Sequence, residues 1–172
     1  MQVKISFAKG DITEMAGEAL VNAANTELVM EAGVADAIRR KGGPRIQEEC
    51  ERLAPLRLGA AVATTGGNLK ANYVIHAATM PPGGKATAES VRLATHQCLL
   101  RAEEKTIKTL TFPALGAGVA GLPVQECAQV MLKVVLDHIK MRTTLEKICF
   151  VLNDDAALKV FEETYQQLTA RP

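Results

Sequence analysis

Hydrophobic positions along the chain follow two periods, and glycine- or proline-containing turns separate the segments. Val3, Ile5 and Phe7 alternate with polar neighbours, which predicts a strand with one polar face that Gly10 ends. Short, mostly apolar runs without such alternation predict buried strands, and they lie at 19–21, 60–65, 73–78, 109–113 and 147–152. Helical spacing of apolar residues predicts five helices, at about 33–41, 44–52, 88–105, 123–139 and 156–168.

Because helices mostly alternate with strands, the pattern predicts a three-layer α/β/α fold with a largely parallel central sheet. Gly42-Gly43 separates the first two helices, and Pro44 stands in a first helical turn, where proline is tolerated. A chain of 172 residues without an internal repeat or linker is expected to form one domain, spanning 1–172.

Charge and composition exclude several classes of protein. The 20 Lys and Arg residues nearly balance the 19 Asp and Glu residues, which argues against a duplex DNA binder. The six aromatic residues lie mostly in apolar runs, which disfavours a single-stranded nucleic-acid binder.

The four cysteines lack metal-ligand spacing, so we expect reduced structural thiols and no metal or other cofactor. The first residues, MQVKISFAKGD, lack the apolar stretch of a signal peptide, and no segment is apolar enough for a membrane span, so a cytoplasmic protein is expected.

Candidate chemistry collects at strand ends, where open α/β sheets bind ligands. Unusual residues follow four strands, at 10–13, at 21–25 with 31–34 just beyond, at 112–121 and at 153–154. We therefore expect these four segments to meet at one edge of the sheet.

The segment after the predicted strand 109–113 contains G-x-G-x-x-G, formed by Gly116, Gly118 and Gly121. Such glycines let main-chain N–H groups converge on a phosphate, and a following helix N-terminus adds positive potential. The dinucleotide fingerprint also needs an acidic residue about 20 positions on, at the next strand tip. Asp137 lies inside a predicted helix and Asp154 is too distant, so the segment is either a phosphate loop of another kind or a turn for close packing.

Other polar positions have both a structural and a functional interpretation. Asp11 either caps a helical turn with Glu14 three residues on or contacts a ligand. Of the two asparagines at a buried strand end, we expect Asn22 to brace the chain and Asn25 to contact a ligand. The Gly33-Val34 pair is a second candidate anion site or a plain helix start.

None of the three histidines is assigned a catalytic role. His76 lies in an apolar strand and is interpreted as a satisfied core histidine. His96 and His138 lie in predicted helices, and no partner for them is visible in the sequence.

Taken together, these motifs resemble the macrodomain family in order and spacing, over essentially the whole chain. The resemblance rests on GDIT at 10–13, VNAAN at 21–25, Gly33-Val34, Gly42-Gly43, Val74-Ile75-His76 and FPALGAGV at 112–119. It implies a mixed sheet of six strands between helices, with ADP-ribose bound in a cleft at the strand ends.

The resemblance also implies roles for individual residues. Asp11 would accept a hydrogen bond from the adenine amino group, Ile12 would pack beside the base, and Asn25 would contact the distal ribose. Main-chain N–H groups would hold the pyrophosphate, and they belong to Gly33, Val34, Ala35, Ala117, Gly118, Val119 and Ala120. Ala23, Gly116 and Asn153 complete the expected ligand-binding set.

The chain departs from the family pattern at five positions. Glu31 and Ala32 stand where the first loop usually has glycines. Ala120 and Asn153 stand where many relatives place aromatic residues, and two lost aromatic contacts could cost about 1 kcal/mol each, so weaker ADP-ribose binding is expected. Ala35 replaces the aspartate of one subgroup that removes ADP-ribose from proteins.

The resulting functional hypothesis is an ADP-ribose-binding domain that hydrolyses ADP-ribosyl esters, on protein carboxylates or on O-acetyl-ADP-ribose. A phosphate oxygen of the substrate would activate water, and Asn25 would be the catalytic side chain, positioning the distal ribose. A non-catalytic reader of ADP-ribosylated partners is the alternative, and a third possibility is selection of another nucleotide by the altered first loop. The expected partners are ADP-ribose or an ADP-ribosylated protein, with no membrane or nucleic acid.

Overall fold

The structure, a computed structural model, describes residues 2–170. Its strands are β1 (Lys4–Lys9), β2 (Ala19–Asn25), β3 (Ala61–Thr65), β4 (Tyr73–Met80), β5 (Thr109–Phe112) and β6 (Lys147–Leu152). Its helices are α1 (Gly33–Gly42), α2 (Pro44–Leu53), α3 (Ala88–Glu104), α4 (Val124–His138) and α5 (Asp155–Thr169). Short 3-10 turns cover Ile12–Glu14 and Gly118–Ala120. The outermost positions of the single domain expected from the sequence, residue 1 and residues 171–172, lie outside the described residues.

The six strands form one mixed sheet in the order β1-β6-β5-β2-β4-β3. Every neighbouring pair is parallel except β3 and β4, which are antiparallel. The predicted α/β class and the mixed sheet of six strands are therefore confirmed. Because five strands run the same way, their carboxyl ends reach one edge of the sheet, which is where the polar and glycine-rich segments begin.

The central strand β2 is longer than the sequence predicts. The prediction ended the strand at Val21, but parallel pairing with β4 continues to Asn25, with an irregularity between Ala24 and Asn25. Main-chain pairing with β4 along residues 22–25 outweighs the local signal of two polar asparagines. The VNAAN motif is consequently part of the sheet, and its last residue marks the carboxyl end of the strand.

Helices cover both faces of the sheet and enclose two hydrophobic clusters. On one face, α3, α4 and α5 bury a cluster in which the rings of Phe112 and Phe161 lie 5.5 Å from the ring of Phe150. On the other face, α1 and α2 contribute Ile38 and Ile46 to the second cluster. All four phenylalanines of the chain thus pack in or against the cores, as their apolar surroundings in the sequence indicate.

The four cysteines are free thiols, and three of them are buried. Burial raises the pKa of Cys127 to about 12, so its thiolate form is disfavoured. Within residues 2–170, no cluster of three His, Cys, Asp or Glu side chains is arranged to hold a metal ion. None of the helices in this part of the chain has the length and apolar character needed to cross a bilayer.

His76 is a satisfied core histidine, as the sequence indicates. Its ring is fully buried, with Nδ1 3.0 Å from Asn22 Nδ2 and Nε2 2.9 Å from Thr64 Oγ1. Thr64 donates its own proton to the carbonyl of Thr65, so the network assigns the neutral tautomer with the proton on Nε2. Burial lowers the pKa of His76 to about 4 and raises that of the adjacent Cys50 thiol to about 12. The pair is therefore neutral at physiological pH and has no nucleophilic character.

The buried imidazole should make stability depend on pH. Below about pH 6.5 His76 binds a proton in the unfolded chain, whereas in the folded chain it stays neutral down to about pH 4. The His76 contribution to the free energy of unfolding is present above pH 6.5 and falls by about 1.4 kcal/mol for each unit below it. Urea unfolding between pH 7 and pH 5 should therefore show a shallower pH dependence in His76→Asn than in the wild type. His96→Asn, at an exposed histidine, is the matched control for replacing a histidine by asparagine. An unchanged slope in His76→Asn would contradict the assignment.

Candidate functional site

A cavity of about 360 Å³ opens at the carboxyl edge of the sheet, and we call it the main cavity. Its volume falls in the range of small-molecule sites. The turn after β1, the ends of β4 and β6, the loop after β5 and the N-termini of α1 and α5 enclose it. Its lining residues are Ile12, Ala23, Ala32, Gly33, Val34, Thr79, Met80, Pro113, Ala114, Gly116, Ala117, Gly118, Val119, Ala120, Val124, Val151, Leu152, Asn153, Asp154 and Ala157.

One wall of the main cavity is the N-terminus of α1. The N-cap residue Ala32 has an extended backbone and makes no side-chain hydrogen bond to the first turn. Gly33 follows with a φ of +60°, and a Cβ there would meet no atom within 4 Å, so the main chain borders open space. The first N–H groups of a helix have no partner within the helix, and the helix dipole makes this end positive. This wall is therefore suited to an anion.

A second wall of the main cavity is the glycine loop after β5. Gly116 has a φ of +83°, and a Cβ there would lie 2.6 Å from Val91 Cγ2, so only glycine fits. The 3-10 turn beginning at Gly118 also lacks a side-chain cap at its N-cap, Ala117. The Leu122 N–H donates to Gly116 O at 2.8 Å, which closes the loop. The Ala117 N–H, which is expected from the sequence to hold a pyrophosphate, instead donates to Ala114 O at 3.3 Å. The loop therefore offers the main-chain donors of residues 118–120.

Side-chain charge contributes little to the main cavity. Among its lining residues the one ionisable side chain is Asp154, whose Oδ1 accepts a hydrogen bond from Ala157 N at 2.8 Å as the N-cap of α5. No Lys or Arg belongs to this lining. Any attraction for an anion must therefore come from main-chain N–H groups and helix N-termini.

A second cavity of about 270 Å³, the distal cavity, adjoins the first and shares four lining residues with it. The shared residues are Ala23, Ala32, Met80 and Val119. The distal cavity alone is lined by Asn25, Val29, Glu31, Ala35, Gly83, Gly84 and Lys85. Its two ionisable side chains, Glu31 and Lys85, are both exposed. The two adjoining cavities together form one cleft. The carboxylate of Glu31 lies at the distal end of this cleft and does not line the main cavity.

Asn25 braces its own loop, a role that the sequence analysis gives to Asn22. Its Oδ1 accepts hydrogen bonds from Glu27 N at 3.1 Å and Val29 N at 3.2 Å, and its Nδ2 donates to Val29 O at 3.0 Å. The side chain is only 8% exposed, yet it lines the distal cavity. These bonds fix the segment that carries Val29. Contact of Asn25 with a ligand stays a prediction.

Asp11 caps the first 3-10 turn and also forms an ion pair. Its Oδ1 accepts from Thr13 N at 2.9 Å and from Thr13 Oγ1 at 2.6 Å, while its Oδ2 lies 2.6 Å from Lys41 Nζ. The hydrogen bond from Lys41, followed by that from Thr13, lowers the pKa of Asp11 to about 2. Asp11 lines neither cavity, whereas its neighbour Ile12 lines the main one. Glu14 pairs with Lys41 and does not complete the capping box.

The fold brings most of the sequence-derived candidates together. Ten of them line the main cavity, namely Ile12, Ala23, Gly33, Val34, Gly116, Ala117, Gly118, Val119, Ala120 and Asn153. Asn25 and Ala35 line the distal cavity, and Asp11 lies beside Ile12. Sequence analysis missed Met80, which borders both cavities. Its position at the carboxyl end of β4, paired with Asn25, is the signal that could have identified it.

Comparison with known proteins decides the family. The macro domain profile matches residues 21–131. A macro domain-containing protein of Caldanaerobacter subterraneus is 36% identical over 98% of this chain and 99% of its own length. The chain belongs to the macro domain family.

Solved structures show the same fold as this macro domain. The Trypanosoma brucei macrodomain in complex with ADP-ribose superposes with a TM-score of 0.85, at 28% identity over 92% of this chain and 68% of that one. A mutant Oceanobacillus iheyensis macrodomain with ADPR gives 0.86, at 24% identity over 94% and 91% of the two chains. A protein of Mycobacterium tuberculosis is 39% identical over 95% of this chain. This macro domain spans less than half the length of that relative, 45%.

The uncapped start of α1 allows a direct test of whether anions bind there. Ala32→Asp should cap the first turn, raising the free energy of unfolding by about 1 kcal/mol, and should place a carboxylate on the wall of the main cavity. Ala32→Asn is the matched neutral control. We expect Ala32→Asp to weaken pyrophosphate binding at least tenfold in calorimetric titration, and Ala32→Asn to weaken it much less. Equal pyrophosphate affinity in the aspartate variant and the wild type would show that anions do not bind at α1.

Proposed function

We propose that this macro domain binds ADP-ribose across the main and distal cavities. The observation that carries the proposal is that two segments of one cavity wall, at Ala32–Val34 and Gly116–Ala120, each begin a helical turn without a side-chain cap. Such a site fits a diphosphate, because main-chain donors from two segments line one cavity without a basic side chain. The complex of the related Trypanosoma brucei macrodomain with ADP-ribose supports this ligand.

The proposed pose places the diphosphate between the two walls, with its two ribosides pointing in opposite directions. Adenine lies toward Ile12 and Asn153, with Asp11 accepting from its amino group. The distal ribose enters the cavity lined by Asn25 and Glu31. Because Asn153 and Ala120 provide no aromatic surface, the affinity should be lower than that of a site with two stacked rings, by about 1 kcal/mol for each lost contact.

The proposed reaction is hydrolysis of an acyl ester on the distal ribose. Water attacks the acyl carbon, the bond from that carbon to the ribose oxygen breaks, and the ribose oxygen takes the proton that water releases. Ala35 supplies no carboxylate to act as a base, so a phosphate oxygen of the substrate orients the water. The contribution of the protein is positioning: the two walls fix the diphosphate, and the braced Asn25 loop borders the ribose.

A non-catalytic reader of ADP-ribosylated proteins is the second candidate. The alanine at position 35 favours it, because the distal cavity then has Glu31 as its one carboxylate, and that side chain is exposed. In either case the partner carries ADP-ribose. The four free thiols support a reducing, cytoplasmic setting.

Calorimetric titration tests the binding proposal. ADP-ribose should bind at micromolar concentration and more tightly than ADP or NAD, because only ADP-ribose places a terminal ribose in the distal cavity. Gly118→Glu, which puts a carboxylate beside the proposed diphosphate site, should abolish the heat. Thermal unfolding of this variant checks that the positive φ at this position has not unfolded the chain. Absence of heat with all three ligands at millimolar concentration would overturn the ADP-ribose assignment.

Ester hydrolysis separates the enzyme from the reader. With O-acetyl-ADP-ribose as substrate, Asn25→Asp keeps the acceptor that binds Glu27 N and Val29 N but loses the donor to Val29 O. We expect Asn25→Asp to lower kcat about tenfold and to change ADP-ribose affinity less. Asn25→Ala should lower both, since the loop loses all three bonds. A wild-type rate equal to the uncatalysed rate, despite ADP-ribose binding, would leave the reader as the function.

A further inference from the structure

A network of opposite charges lies at the proposed base end of the cleft. Lys41 Nζ, on the last turn of α1, lies 2.6 Å from Asp11 Oδ2 and 3.0 Å from Glu14 Oε1. Glu14 Oε2 lies 3.7 Å from Lys70 Nζ. The side chains of Asp11 and Lys41 are 47% and 37% exposed, so the network is accessible to a ligand.

Lys41 leaves Asp11 with little hydrogen-bonding capacity of its own. Asp11 Oδ1 already accepts two bonds from Thr13, and Oδ2 accepts one from Lys41. A base amino group that donates to Asp11 must therefore share Oδ2 with the ammonium group. The ammonium has three donors and uses two, on Asp11 and Glu14, so one donor remains for a ligand.

We infer that Lys41 is a specificity-determining residue that, together with Asp11, lets the site accept a 6-oxopurine as well as a 6-aminopurine. The inference rests on the proposed function, which places the purine at this end of the cleft. Base recognition then depends on the acceptor of Asp11 together with the donor of Lys41, and not on the carboxylate alone.

The chemistry of the purine edge supports this assignment. Adenine presents an amino donor beside the N1 acceptor, whereas a 6-oxopurine presents a carbonyl acceptor beside an N1–H donor. An ionised carboxylate only accepts and an ammonium only donates. Asp11 and Lys41 hold one of each 2.6 Å apart, so an acceptor and a donor stand side by side for the substituent at position 6 of the purine. The amino group of adenine donates to Asp11, whereas the carbonyl oxygen of a 6-oxopurine accepts from the remaining donor of Lys41.

Without the ammonium group of Lys41, the site no longer accepts both classes of purine. A carboxylate alone still accepts from the adenine amino group, but it repels the carbonyl oxygen of a 6-oxopurine. Loss of a bond to a charged donor should therefore weaken the 6-oxo ligand at least tenfold relative to the amino ligand.

The test is calorimetric titration with ADP-ribose and with its deaminated analogue, inosine diphosphate ribose. The wild type should bind the two ligands with affinities within about threefold, and Lys41→Met should favour ADP-ribose by at least about tenfold. Lys70→Met is the matched control, because it removes the same charge from the same network without touching Asp11. This control should keep the wild-type ratio of affinities.

Two outcomes would overturn the inference while leaving the proposed function intact. One is a wild type that binds ADP-ribose but rejects the inosine analogue by more than tenfold. The other is a Lys41→Met ratio equal to that of Lys70→Met. Failure of the wild type to bind either ligand would overturn the proposed function, and the inference with it.

Discussion

Main-chain N–H groups without partners at the start of a helix are the constraint from which the site follows. In α3, Thr87 and Ser90 form a reciprocal capping box, so that helix satisfies its own first turn. In α1 the corresponding position is Ala32, and such an omission costs about 1 kcal/mol. The donors at this end of α1 remain available, and they border a cavity. Helix α1 is thus less stable than a helix with a side-chain cap, and a hydrogen-bond acceptor from a ligand can replace that cap.

The sheet makes this arrangement possible. Strand β2 lies between β5 and β4, so its carboxyl end stands between the glycine loop that follows β5 and the end of β4 at Met80. The walls of the main cavity are therefore attached to paired strands and not to free loops. The polar groups of Asn25 fix the segment between β2 and α1 in the same way. A positioning role in catalysis requires such rigidity, because a misplacement of 1 Å can cost about a hundredfold in rate.

Hydrophobic periodicity and turn residues such as Gly116 and Pro44 are local signals, because each depends on only a few neighbouring residues. These signals predicted the helices, the strands and the glycine loop after β5. They did not predict the full length of β2, which depends on pairing with β4. The contact between Asp11 and Lys41 joins residues 30 positions apart, so no spacing rule reveals it. The sequence leads us to expect that Asn25 contacts a ligand, but it does not reveal the loop-bracing bonds of Asn25, which depend on how the chain turns after β2. The parts that sequence could not supply are those set by tertiary contact.

The two ends of the cleft differ in kind from its centre. Main-chain donors form the centre, so substitution of side chains there changes shape more than it changes charge. Ionisable side chains stand at the ends, with Asp11 and Lys41 beside Ile12 and with Glu31 and Lys85 at the distal cavity. If the diphosphate anchors the ligand at the centre, then the ends set the selectivity for base and acyl group and adjust the affinity around a common anchor. A change of base or of acyl group then requires substitutions only at the ends, while the anchor and the fold that supports it stay unaltered.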